Sequence, residues 1–145
     1  MILRRLSLLN FLFVATSVQV RADPAQEVAQ IHTVLNMQQA AWNRGDIDGF
    51  MNGYNRSRAT VFVSGDQVTR GWQTVRDRYQ KKYTTRTQMG QLRFSDLEIT
   101  LLGSDSAVAT GRWELRRKSD HPQGRFTLIF RQTPNGWRIV HDHTS

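Results

Sequence analysis

The sequence predicts an α+β fold, with helices packed on one face of a bent antiparallel sheet. Three observations carry this. Helical periodicity is confined to the first half of the chain, between residues 23 and 83. From residue 91 onward the apolar pattern has period two, interrupted only by short turns. Within residues 91–102 the period slips by one: Leu92 and Phe94 share one parity, and Leu97, Ile99 and Leu101 share the other. Such a slip marks a bulge, which bends a sheet.

The elements follow in order. Residues 1–22 look like a leader: Arg4 and Arg5, then an apolar stretch broken by Asn10, then Val20 and Ala22 at the positions of a cleavage site. The apolar run is too short to span a membrane, and export to the periplasm or the medium is the expectation. An uncleaved N-terminal anchor is the alternative. The domain is then 23–145.

Asp23 and Pro24 suit a helix start, and the helix runs over 23–43. Val28, Ile31, Leu35 and Trp42 form its apolar face, widened by Val34, Met37 and Ala41. Gly45 ends it, and Asp46 caps a shorter helix carrying Ile47, Phe50, Met51 and Tyr54. Residues 60–63 form a short strand, 64–66 a turn and 68–70 a brief return. A third helix carries Trp72, Val75, Tyr79 and Tyr83, and 84–90 reads as polar loop. Strands are expected at 91–102, 106–118 and 125–131. Pro134-Asn135-Gly136 is a turn, and the last strand closes the chain.

That last strand, Gly136-Trp137-Arg138-Ile139-Val140-His141-Asp142-His143-Thr144-Ser145, holds two of the four histidines and the most suggestive carboxylate. Strict alternation puts Trp137, Ile139, His141 and His143 on one side and Val140, Asp142 and Thr144 on the other.

Composition narrows the chemistry. There is no cysteine, which excludes disulfides, thiolate nucleophiles and Cys-ligated metal. The net charge is +8, and without Arg4, Arg5 and Arg21 the balance is 17 basic against 12 acidic residues. The basic residues are scattered, with Arg116-Arg117-Lys118 the densest run, so no nucleic-acid partner is expected. Phosphate loops, serine-nucleophile elbows and zinc-protease helices are absent from the sequence.

The chain resembles the nuclear transport factor 2-like superfamily. The match rests on Ala41-Trp42-Asn43-Arg44-Gly45-Asp46 with Phe50 and Tyr54, on Gly71, on Gly124-Arg125-Phe126-Thr127-Leu128-Ile129-Phe130, and on the closing strand. It is similar to the SnoaL-like and ketosteroid isomerase-like members, in a small bacterial branch of unknown function, and to the calcium/calmodulin-dependent kinase association domain. The resemblance implies a cone-shaped curved sheet with three helices of the N-terminal half packed on its concave face. It implies that Asp142 faces the pocket and that the other side of the closing strand is a dimer interface. The kinase domain's pocket arginines correspond to Trp113, Leu128 and Thr144 here, so an anionic ligand of that kind is not implied.

The expected site is therefore an apolar cone. Asp142 and Tyr54 are its candidate catalytic pair, and Trp42, Arg70, Trp113, Leu128, Val140 and Thr144 its candidate ligand-binding residues. A carboxylate buried in such a cone rises in pKa and can serve as general acid or base toward a small apolar molecule. Equally, Asp142 can be held by a structural partner, with Arg70 and the Trp42 indole N–H the named options. Tyr54 is either an oxyanion donor or the edge of the core. His141 and His143 stand about 7 Å apart on one strand face. They make half of a metal site, which His32 or a carboxylate would complete, or else pack at an interface. No spacing recruits a third ligand, so neither metal nor cofactor is expected. The alternative function is a non-catalytic association module, a homodimer through the sheet face carrying Trp137, Ile139, His141 and His143.

Overall fold

A computed structural model describes residues 23–145. The expected leader, 1–22, lies outside the described residues. Helix α1 (Pro24–Asn43) starts where the Asp23 carboxylate accepts the Ala25 N–H at 3.0 Å. It stops at Gly45, whose φ of +84° is open to glycine at little cost and whose N–H donates to the Trp42 carbonyl at 2.9 Å. Asp46 then caps α2 (Ile47–Met51) by accepting from the Gly49 N–H at 2.7 Å.

The buried stripe of α1 is Ile31, Leu35, Gln38, Ala41 and Trp42. Met37, expected to widen it, is 63% exposed, because the stripe turns toward Gln38 instead. The Gln38 amide donates to the Phe50 carbonyl at 3.0 Å, which makes burial of a polar side chain tolerable.

Strands β1 (Val61–Ser64) and β2 (Gln67–Arg70) form a hairpin, followed by α3 (Trp72–Lys82). A further helical turn, α4 (Arg86–Met89), occupies the stretch expected to be loop. Thr85 and Gln88 close it with a reciprocal capping box. Strands β3 (Gln91–Leu101), β4 (Ser106–Arg116), β5 (Gln123–Thr133) and β6 (Gly136–Thr144) complete the chain.

The six strands form one sheet in the order β2-β1-β6-β5-β4-β3. All neighbours are antiparallel except β1 and β6, which run parallel, so the sheet is mixed. The predicted bulge in β3 lies between Ser95 and Glu98, with Asp96 at φ +52°. A second bulge, in β6, leaves Val140 without a partner: Ile129 pairs with His141, and Phe130 with Ile139. Helix α1 packs on β3 and β6. The core between the layers includes Ile31, Leu35, Met51, Phe130, Trp137 and Ile139. The Trp137 indole donates to the Glu27 carboxylate across the two layers.

The β6 bulge overturns one sequence expectation. Below Val140 the core-facing residues are Trp137 and Ile139; above it they are Asp142 and Thr144. Trp137 and Ile139 are 1% and 0% exposed and belong to the core, not to an outer interface. Strict alternation fails because the extra residue reverses the phase.

Candidate functional site

The sheet builds one wall of a cavity in two cross-strand rows. Leu128, Asp142 and Phe62 form one, and Phe126, Thr144 and Ser64 the next. Helices α1, α2 and α3 close the opposite side with Gln38, Trp42, Phe50 and Tyr79, joined by Tyr83 just beyond the end of α3. The space measures about 160 Å³, on the scale at which an apolar cavity accepts one benzene-sized ring. Its rings meet edge-on: Trp42 to Phe50 at 5.2 Å, Phe50 to Tyr79 at 5.3 Å and Phe94 to Phe126 at 5.4 Å.

Tyr54 reaches this wall because residues 53–55 run beside β6. The Ile139 N–H donates to the Gly53 carbonyl at 2.9 Å, and the Asn55 N–H donates to the Ile139 carbonyl at 2.8 Å. A Cβ at 53 would stand 2.4 Å from the end of the Gln38 side chain, so any larger residue there requires Gln38 to shift. The Tyr54 hydroxyl then donates to Asp142 Oδ2 at 2.6 Å, and the Thr144 hydroxyl donates to Oδ1 at 2.6 Å.

Asp142 is 4% exposed, and both its partners are neutral hydroxyls. Burial pushes its pKa up to about 6, against the opposing pull of the Thr144 and Tyr54 hydrogen bonds. Burial and the neighbouring carboxylate hold Tyr54 well above the ordinary tyrosine range. Tyr79 is raised as well, first by burial and then by Asp142. The result is a carboxyl group poised near neutrality, with tyrosines that stay protonated. It can take a proton above pH 6 and give one below it.

Of the residues singled out in the sequence, Asp142, Tyr54, Trp42, Trp113, Leu128 and Thr144 line this one cavity. Two do not. Arg70 is exposed and lies on the opposite face of the sheet: Thr69, not Arg70, pairs with Phe62 and faces inward. Val140 is half-buried in the bulge and does not line the cavity. Neither Arg70 nor the Trp42 indole is a partner of Asp142; that indole donates to the Met89 carbonyl at 3.1 Å. Gln38, Tyr79 and Arg78 also line the space and were not singled out as site residues. A glutamine on the Ile31–Leu35 stripe, and an arginine beside a core-facing tyrosine, are the sequence signals that point to them. His141 and His143 face away from the cavity. Among the described residues no group of three His, Cys, Asp or Glu is placed to hold a metal ion. No helix among them is long and apolar enough to cross a membrane.

Helices packed on one face of a sheet interrupted by two bulges give the nuclear transport factor 2-like architecture. Residues 31–145 match the SnoaL-like domain, and the chain belongs to that family. Among solved structures it is similar to an NTF2-like protein of unknown function from Shewanella oneidensis. The two are 35% identical over 85% of this chain and 99% of that one, with a TM-score of 0.77. An NTF2-like superfamily protein from Salmonella enterica matches at 23% identity over 85% and 92% of the two chains, TM-score 0.68. A candidate calcium/calmodulin-dependent protein kinase II association domain from Xanthomonas campestris matches at 20% identity over 86% and 88%, TM-score 0.65. The latter two likenesses speak to the fold alone. Comparison with curated proteins finds no match.

Proposed function

We propose that the protein binds a small, largely apolar molecule in this cavity and performs acid–base chemistry on it through Asp142. The observation that carries the reading is a carboxyl group buried in an aromatic cavity, held by two neutral hydroxyls and raised to about 6. Structural carboxylates are more often paired with a cation, which lowers their pKa. In this reading Asp142 is the base above pH 6, and Thr144 and Tyr54 orient it. Once Asp142 is protonated, the Tyr54 hydroxyl is free to donate to a ligand oxygen. Trp42, Trp113 and Leu128 form the apolar walls. The leader pattern of residues 1–22 supports a periplasmic or secreted setting.

Two measurements separate binding from chemistry. Mass spectrometry of molecules released from the purified protein is expected to yield a small apolar compound from wild type and none from Leu128→Trp, which fills the cavity. Recovery from both proteins would overturn the cavity reading. Deuterium uptake at the acidic C–H of a bound cyclic ketone, followed by proton NMR, is expected for wild type and lost in Asp142→Asn. Equal uptake in both removes the acid–base role.

A second reading, compatible with the first, is association through the outer sheet face. Two rows on that face, Val108-Ile129-His141-Val61 and Thr110-Thr127-His143-Val63, contain no Lys, Arg, Asp or Glu. In a chain with net charge +8, an uncharged band across four strands favours contact with a second copy.

A further inference from the structure

The cavity is apolar within, yet two cations stand on its wall. Arg78 and Lys82 lie one turn apart on α3 and both line the space. The Arg78 guanidinium stacks over the Phe62 ring, 5.1 Å from its centroid, and donates to the Thr69 hydroxyl at 2.8 Å. The Lys82 ammonium sits over the Tyr83 ring at 5.3 Å. Both rings are cavity walls.

Neither cation has an ion-pair partner among the described residues. The ion pairs among the described residues involve Arg44, Arg76, Arg116, Arg117 and Arg131, and none involves Arg78 or Lys82. Like charges one helical turn apart repel. Asp142 does not relieve them: its hydrogen bonds go to Tyr54 and Thr144. Lys82 is exposed and Arg78 half-buried, whereas Asp142 is closed off, so the positive charge lies toward the solvent side.

Resting on the cavity reading above, we infer that the natural ligand is amphipathic: a single-ring apolar body that enters the cavity, with a carboxylate held at the mouth by Arg78 and Lys82. The orientation follows from electrostatics. An anion on the floor would meet the Asp142 carboxyl, whereas at the mouth it meets two cations with no acidic partner. Part of the Arg78 fork is engaged by Thr69, which fixes the guanidinium plane and leaves its remaining N–H groups for a planar, two-oxygen acceptor.

Isothermal titration with 3-phenylpropanoate and its neutral twin, 3-phenylpropanamide, tests this at pH 8 and low salt. The acid is expected to bind about ten-fold more tightly than the amide, and the gap to narrow in 0.5 M sodium chloride. In the Arg78→Gln/Lys82→Gln variant the acid is expected to fall to the level of the amide. Lys82→Gln alone, at an exposed position, gives a smaller narrowing and keeps the test readable if the double variant unfolds. Equal binding of acid and amide by wild type overturns the inference and leaves the cavity reading standing. A gap that survives both variants does the same. Failure of both probes to bind at millimolar concentration overturns the cavity reading and this inference together.

Discussion

Asp142 makes the stability of the fold depend on pH between about 4 and 6. Its pKa is raised from an ordinary 3.8 to about 6 by burial. Between these values the folded chain holds a proton that the unfolded chain has released. The contribution to stability is therefore full below about pH 4 and is lost as pH rises through 6. A shift of this size corresponds to roughly 3 kcal/mol. Asp142→Asn removes that dependence. Urea unfolding at pH 4 and pH 8 is expected to show wild type losing about 2–3 kcal/mol relative to the Asn variant across the interval. Parallel curves for the two proteins would place Asp142 in a solvated environment. Tyr54→Phe removes the donor to Oδ2 and leaves a buried carboxylate oxygen unpaired. The expected cost is about 1–3 kcal/mol at pH 8, with the Asp142 titration, followed by carbon-13 NMR, displaced further upward.

Bulges decide what the strands present. In β3 the slip was visible from Leu92 and Phe94 against Leu97, Ile99 and Leu101, because large apolar residues flank it on both sides. Asp96 occupies the left-handed region at φ +52°, where a short polar residue is tolerated and a β-branched one is not. Asp96→Val is expected to destabilise by about 1–2 kcal/mol, and Asp96→Gly to be near neutral, both measured by thermal melting. In β6 the slip at Val140 left no such trace, since Trp137, Ile139, His141 and His143 fit an unbroken alternation on paper. It occurs where β6 changes neighbours: Ile139 bonds to residues 53–55, and beyond the bulge His141 to Thr144 pair with β1. Such a handover is invisible to a pattern read along one strand. The helical turn α4 replaces an expected loop: the polar composition of 84–90 hides a capping pair, Thr85 and Gln88, that closes a helical turn.

At the scale of the whole molecule, the sheet separates two surfaces with different chemistry. One faces the helices and carries the cavity; the other carries the uncharged band. With Trp137 and Ile139 in the core, the proposed interface narrows to His141 and His143 with Ile129, Val108 and the valines of β1. Light scattering is expected to give a dimer. Ile129→Glu, at a position already 37% exposed, is expected to give a folded monomer whose melting temperature no longer rises with protein concentration. A wild-type monomer at 0.1 mM would remove the association reading.

Much of this protein is written locally. Helix caps at Asp23 and Asp46, period-two strands, the β3 bulge and the order of elements all follow from interactions a few residues long. The family resemblance extended that to the curved sheet and to Asp142. The identity of its partners lay beyond such reach. Tyr54 and Asp142 are 88 positions apart and meet only because residues 53–55 dock on β6. Arg70 turns away and Arg78 turns in because the β1–β2 register and the packing of α3 place them so. Those outcomes depend on pairing and packing between distant segments, and a one-residue slip is enough to reverse them.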